Sequence, residues 1–166
     1  MEGAEFLQFV WGHQPEGYAV LVHRDESGKW RESSFYYKGQ QLSLIVPSGG
    51  DLYWCPNLFS QPERKKEYCL PSRVMYQDLD EAHPNECPLK PELWWETSRG
   101  RYQAAWILDE FMEPDEFSSY NKALNRACHA DPGTWNLTRL LRVPGSWNEK
   151  RGCQVGRAYK RLELVA

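Results

Sequence analysis

The chain has 166 residues, 41% hydrophobic and 14% aromatic, which excludes disordered, collagen-like and low-complexity architectures, because those lack the apolar surface that offsets chain entropy. Twenty Lys and Arg against 23 Asp and Glu leave a formal charge of −3, an average that argues against a nucleic-acid partner. No apolar run reaches ~18 residues and Met-Glu-Gly-Ala-Glu-Phe is no leader, so the expectation is one cytoplasmic domain over residues 1–166, away from membranes.

Tyr18–His23 and Trp30–Tyr37 read as strands around the turn Asp25-Glu26-Ser27-Gly28. Gly39–Val46 reads as a short helix stopped by Pro47-Ser48-Gly49-Gly50, and Asp51–Cys55 as a third strand. Arg73–Leu79 is β-branched and aromatic enough for a strand in which Val74, Tyr76, Asp78 and Asp80 share a face. The three prolines between His83 and Pro91 predict irregular chain. Leu93–Thr97 and Tyr102–Leu108 are two more strands, joined by the tight link Ser98-Arg99-Gly100-Arg101.

Pro114, followed by Asp115 and Glu116, opens a helix with an apolar stripe of Phe117, Tyr120, Leu124 and Ala127, ending near Asp131-Pro132-Gly133. A short helix over Leu137–Leu141 and a last strand over Tyr159–Val165 complete an α+β pattern. Cys55, Cys69, Cys87, Cys128 and Cys153 are odd in number, with no Cys-x-x-Cys spacing, and read as reduced thiols.

Chemistry concentrates in three stretches. In Asp78-Leu79-Asp80, carboxylates two apart on a strand have Cα atoms ~7 Å apart, so both reach one hard cation such as Mg²⁺ or bridge two. The glycine-containing link at residues 98–101 lets backbone N–H groups approach an anion, with Arg101 as a phosphate partner. Arg139 and Arg142, three apart on a helical turn, present their guanidinium groups on one side, and the reversal at Pro144-Gly145 returns Asn148 and Lys150 toward them. Each stretch also has a plain structural use, as solvated loop, hairpin turn or amphipathic turn.

Taken in order, Val74-Met75-Tyr76-Gln77-Asp78-Leu79-Asp80, then Glu96-Thr97-Ser98-Arg99-Gly100-Arg101-Tyr102-Gln103-Ala104-Ala105-Trp106, then Arg139-Leu140-Leu141-Arg142-Val143-Pro144-Gly145 through Asn148 and Lys150 resemble the archaeo-eukaryotic primase superfamily. The resemblance is to its RepB-like and PrimPol-type domains from plasmids and phages, and it runs from about Leu52 to Lys150. It implies an RRM-like antiparallel sheet packed against a smaller N-terminal α/β unit, with the nucleotide in the cleft between them. It further implies a DNA primase-polymerase acting by two-metal phosphoryl transfer, with Asp78 and Asp80 as catalytic ligands to Mg²⁺ or Mn²⁺. Ser98, Arg99, Gly100, Arg101, Gln103, Arg139, Arg142, Asn148 and Lys150 would then bind nucleotide.

The implied partners are a nucleoside triphosphate, a single-stranded DNA template and a replicative helicase. Two positions depart from the family pattern. Gln103 stands where many members carry His, and Gln donates hydrogen bonds but carries no charge. Asn136 stands where the third acid commonly sits, which leaves Asp131, or an acid such as Glu96, to supply the missing carboxylate.

These departures keep open a binding module of the same fold, silent in catalysis, that holds nucleotide or single strands. The eight tryptophans offer stacking platforms for it, although Trp94, Trp95 and Trp106 fall inside strands and read as core. An Asp-x-Asp nucleotide-sugar transferase is the remaining alternative, and it leaves the Arg-Leu-Leu-Arg-Val-Pro-Gly run without a use. The charge of −3 hides two unlike regions: residues 133–166 hold seven Lys or Arg against two Asp or Glu, and residues 1–132 hold thirteen against twenty-one.

Overall fold

In the computed structural model, which describes residues 1–161, the chain opens with α1 (Gly3–Trp11), an element the sequence reading does not assign. Its Phe6, Leu7, Val10 and Trp11 recur at helical spacing and are all fully buried. β1 (Gly17–Arg24) and β2 (Trp30–Tyr37) form the expected hairpin, closed by Asp25 Oδ1, which accepts from the N–H groups of Ser27 and Lys29. The helix expected over Gly39–Val46 is irregular chain instead. Leu42 N–H donates to Gln8 Oε1 on α1 and not to a carbonyl one turn back. β3 (Asp51–Trp54) then pairs with β1.

β4 (Ser72–Asp80), β5 (Leu93–Ser98) and β6 (Arg101–Met112) are antiparallel neighbours, with β6 in the middle and β4 at an edge. α2 (Pro114–Ala127) starts at the predicted proline, but its buried face differs from the expected stripe. Tyr120 is exposed, while Asn121 and Asn125 are buried beside Phe117 and Leu124. The reason lies in the edge position of β4. Its outward Tyr76 N–H has no strand to pair with and donates to Asn121 Oδ1, and Gln77 Nε2 donates to the Asn121 carbonyl at 2.8 Å. Buried amides on α2 thus satisfy backbone that an apolar stripe would leave unpaired.

The helix expected over Leu137–Leu141 is a turn leading into β7 (Leu141–Arg142). The Leu137 carbonyl accepts from Asn57 Nδ2 at 3.0 Å, which takes the acceptor a helix would offer to residue 141, and Leu141 pairs with Trp54 on β3. β8 (Trp147–Asn148) and β9 (Cys153–Gln154) form a small hairpin, and β10 (Tyr159–Lys160) pairs with β5. Residues 162–165 of the expected last strand lie outside the described residues.

Two four-stranded antiparallel sheets result, in the orders β2-β1-β3-β7 and β10-β5-β6-β4. Phe6 joins them: its ring meets Trp54 edge-on at 5.1 Å and Trp95 at 5.0 Å, inside one continuous hydrophobic cluster. Truncating Phe6 to Ala would open a cavity between the sheets at a cost of ~3–5 kcal/mol. The five cysteines are free thiols, four of them buried. Among the described residues no helix is long and apolar enough to cross a membrane.

Candidate active site

Where the ends of the two sheets meet, a cavity of about 260 Å³ collects polar side chains from six segments spread between Asp78 and Arg151. Asp78 and Asp80 come from the end of β4, Thr97 and Ser98 from β5, Arg101 and Gln103 from β6, and Arg142 from β7. Asp131 comes from the loop after α2, and Asn148, Lys150 and Arg151 from the β8–β9 hairpin. Larger cavities lie beside α1 and α2, but they hold no carboxylate from β4, whereas this one combines the β4 carboxylates with cations from the third stretch.

The acids do not sit on a regular strand. Asp78 faces Gln103 across β6, then a bulge shifts the register, and Asp80 adopts the left-handed conformation with φ of 50°. Both carboxylates nonetheless line the same cavity. Burial pushes the Asp78 carboxyl above its ordinary value, against the opposing pull of the Arg139 guanidinium 3.6 Å away and of a hydrogen bond from Gln103. Asp80 is half-exposed and ion-paired with Arg101, which also reaches Glu81 at 3.2 Å.

Gln103 is buried and its orientation is fixed by two donors. Its Oε1 accepts from Trp95 Nε1 at 3.2 Å and from Arg142 N–H at 2.9 Å, which turns its NH₂ toward Asp78. The amide therefore braces the first acid from below. Arg99 and Gly100 occupy the two-residue turn between β5 and β6, exposed and outside the cavity lining. Gly100 takes φ of 73°, a conformation that favours glycine, and its N–H donates to Glu96 Oε1 at 2.7 Å. Glu96 thus serves the turn and does not line the cavity.

Arg139 and Arg142 are brought to the same region along extended chain, not on a helical turn. Arg139 contacts Asp78 without lining the cavity, and its buried Nε has no hydrogen-bond partner among the described residues. Arg142 lines the cavity but is committed on one side to the buried carboxylate of Asp51, with its guanidinium 5.0 Å from the centre of the Tyr53 ring. Asp51 also accepts from Glu149 N–H at 2.9 Å, so it anchors β7 and the β8–β9 hairpin together. The Pro144-Gly145 reversal packs against the start of α1. Gly145 has φ of 84°, and a Cβ there would stand 2.8 Å from the Glu2 Cβ.

Asn148 is buried, donating to the Thr97 carbonyl at 2.9 Å and accepting from Arg151 N–H at 3.2 Å, which ties the hairpin to the end of β5. Lys150 and Arg151 are left exposed at the cavity mouth. Asn136 is placed elsewhere: it is exposed, lines a separate cavity with Lys122 and Trp135, and its side chain donates to Thr138. Asp131 is the carboxylate that shares the cavity with Asp78 and Asp80, and its N–H donates to the Asp78 carbonyl at 2.9 Å. Sequence reasoning missed Thr97, Arg151 and Asp51. Arg151 was signalled only by adjacency to Lys150, and Asp51 only by its place at the start of a strand.

Among the described residues no three Asp, Glu, His or Cys side chains converge tightly enough to hold a metal ion. The donor set of the cavity is nonetheless all oxygen, two carboxylates from β4 with a third on the adjoining loop, which fits a hard divalent cation better than a soft one.

The fold, two joined four-stranded antiparallel sheets, is that of the archaeo-eukaryotic primase-polymerase domains. The chain is similar to the archaeo-eukaryotic primase domain of the cyanophage S-2L primase-polymerase, with a TM-score of 0.68 at 11% identity, covering 95% of this chain and 88% of that one. It is similar also to primase RepB′ (TM-score 0.58, 16% identity, 92% of this chain and 53% of that one). The catalytic domain of RepB′ in complex with initiator DNA gives a TM-score of 0.57 at 17% identity, over 89% of this chain and 81% of that domain. No protein-family model and no curated protein sequence matches the chain.

Proposed function

We propose that the chain is a primase-polymerase-type nucleotidyltransferase that transfers a nucleoside monophosphate from a nucleoside triphosphate to a 3′-hydroxyl on a single-stranded DNA template, with pyrophosphate as the leaving group. The observation that carries this reading is the cavity itself, three carboxylates facing four cations at the junction of two sheets, on a primase-polymerase fold. A Mg²⁺ or Mn²⁺ held by Asp78 and Asp80, with Asp131 alongside, would supply Lewis-acid stabilisation of phosphoryl oxygens.

The chain's own residues do the positioning. Lys150 and Arg151, exposed at the mouth, attract and seat the triphosphate. Arg142, held by Asp51 and Tyr53, presents its remaining N–H groups in a fixed direction, the kind of preorganised donor that stabilises developing charge without reorganising. Arg101 reaches the cavity from the ion pair with Asp80, and Ser98 lines the wall beside it. Gln103, on the cavity wall with its Oε1 taken by Trp95 and the Arg142 N–H, acts through Asp78. Arg139 likewise acts on Asp78, from outside the lining. A replicative helicase is the partner this activity calls for, to supply single strands.

The test is metal-dependent nucleotide incorporation on a primed single-stranded template. The Asp78→Ala, Asp80→Ala double variant should lose it with its circular dichroism unchanged, and full activity in that variant would sink the reading. A silent binding module is the second reading, favoured by the ion pairing of both β4 acids with arginines. Calorimetry separates the two: oligonucleotide binding with no Mn²⁺-dependent binding of a nucleoside triphosphate would select the module.

A further inference from the structure

Along the outer side of α2, away from the carboxylates, two cavities of about 440 and 600 Å³ adjoin and share Lys122 and Trp135. Trp135 is half-buried and rigidly mounted, because its backbone carbonyl accepts from the buried Asn121 side chain at 3.1 Å. The Lys122 ammonium lies 4.9 Å from the centre of the indole. Lys66 lines the first cavity and Arg126 the second, and Asp115 is the one acid in either lining. Three cations against one carboxylate make this strip basic on a chain whose formal charge is −3. Hydroxyls of Ser118, Ser119 and Thr138 add hydrogen-bonding capacity.

The strip lies close along the chain to the candidate active site. Asp131, on the catalytic cavity, and Trp135, between the two outer cavities, lie four residues apart on one loop, a span of at most ~14 Å. An indole face flanked by Lys and Arg within that distance matches single-stranded nucleic acid, whose bases stack on aromatic rings while cations track its phosphates. A folded duplex would not present a free base to the ring.

We propose that this groove binds the single-stranded template where it extends beyond the catalytic cavity, with a base stacked on Trp135 and phosphates met by Lys66, Lys122 and Arg126. The proposal rests on the primase-polymerase reading for the identity of the strand, and its test is separable from that reading. Binding of a labelled 16-nucleotide oligothymidylate to the full chain is followed by fluorescence anisotropy at several salt concentrations. Trp135→Ala should weaken binding by ~5–30-fold, and Trp135→Phe should retain most of the affinity. The Lys122→Ala, Arg126→Ala double variant should flatten the salt slope by ~1–2 units.

Mn²⁺-dependent binding of a nucleoside triphosphate, measured by calorimetry, should stay at the wild-type level in all three variants. If Trp135→Ala fails to fold, the double variant decides. Oligonucleotide affinity within twofold of wild type, with an unchanged salt slope, overturns the groove in either case. Loss of oligonucleotide binding in these variants when the wild type binds no triphosphate would uphold the groove and count against the primase-polymerase reading alone.

Discussion

Replacing Gln103 by Leu conserves shape while stripping the acceptor from two donors, Trp95 Nε1 and Arg142 N–H, and the donor from Asp78. A buried donor left unpaired costs ~1–3 kcal/mol. Trp95 is fully buried, whereas the Arg142 N–H bond is only part-buried, so the two together cost about 3 kcal/mol, and the added apolar burial of Leu returns about 1. At an urea m-value of ~1.5–2 kcal/mol/M, the net ~2 kcal/mol lowers the unfolding midpoint by about 1 M. Gln103→Glu keeps the acceptor but aims a second carboxyl at Asp78, whose own carboxyl burial already pushes up. Two adjacent carboxyls raise each other further, so the folded variant holds protons more tightly than the unfolded chain. Its deficit should be small in acid, where the pair is protonated, and should grow as pH rises through the folded-state values. Urea titrations at pH 5 and pH 8, followed by tryptophan fluorescence, measure both. A Gln103→Leu midpoint indistinguishable from wild type, or a Gln103→Glu deficit that does not change with pH, would refute the bracing role.

Asp51→Ala should destabilise the fold by ~3–5 kcal/mol in thermal denaturation, because it strands the mostly buried Arg142 guanidinium and the Glu149 N–H. Asp131→Ala should weaken Mn²⁺-dependent triphosphate binding about tenfold or more in calorimetry, whereas Asn136→Ala should leave it within about twofold, since only Asp131 shares the cavity with the β4 acids. The raised Asp78 carboxyl makes protons compete with the metal above the ordinary aspartate range, so metal-dependent binding should fade on acidification at a pH higher than ~3.9. Calorimetry across pH 4–7 checks this, with a fade only below the ordinary range as the contrary result.

The primase-polymerase resemblance was legible because its three stretches are local: a strand ending in Asp78-Leu79-Asp80, a glycine-tipped hairpin and a Pro-Gly reversal each follow from short-range chemistry. The β2 boundaries and the proline start of α2 were legible for the same reason. α1 escapes a local reading although Phe6, Leu7, Val10 and Trp11 carry a helical period, because the helix is short and the burial of its apolar face comes from the two sheets it joins. The buried face of α2 could not be read from hydrophobicity, because Asn121 and Asn125 are buried to satisfy an edge strand whose lack of a neighbour is a property of the sheet. The Leu137–Leu141 pattern is locally compatible with a helix, but Asn57, eighty residues earlier, takes the Leu137 carbonyl.

Composition and local spacing specify the chemical inventory of this protein: paired acids, a basic third stretch and a net charge that averages two unlike regions. Tertiary structure decided which of those groups meet. It set Asp131 on the cavity with Asp78 and Asp80, placed Asn136 against Lys122 and Trp135, committed one side of Arg142 to Asp51 and turned Gln103 inward to hold Asp78. The placements of Asp131, Arg142 and Gln103 depend on contacts between segments far apart in the chain, where burial and the obligation to pair every buried polar group outweigh local spacing.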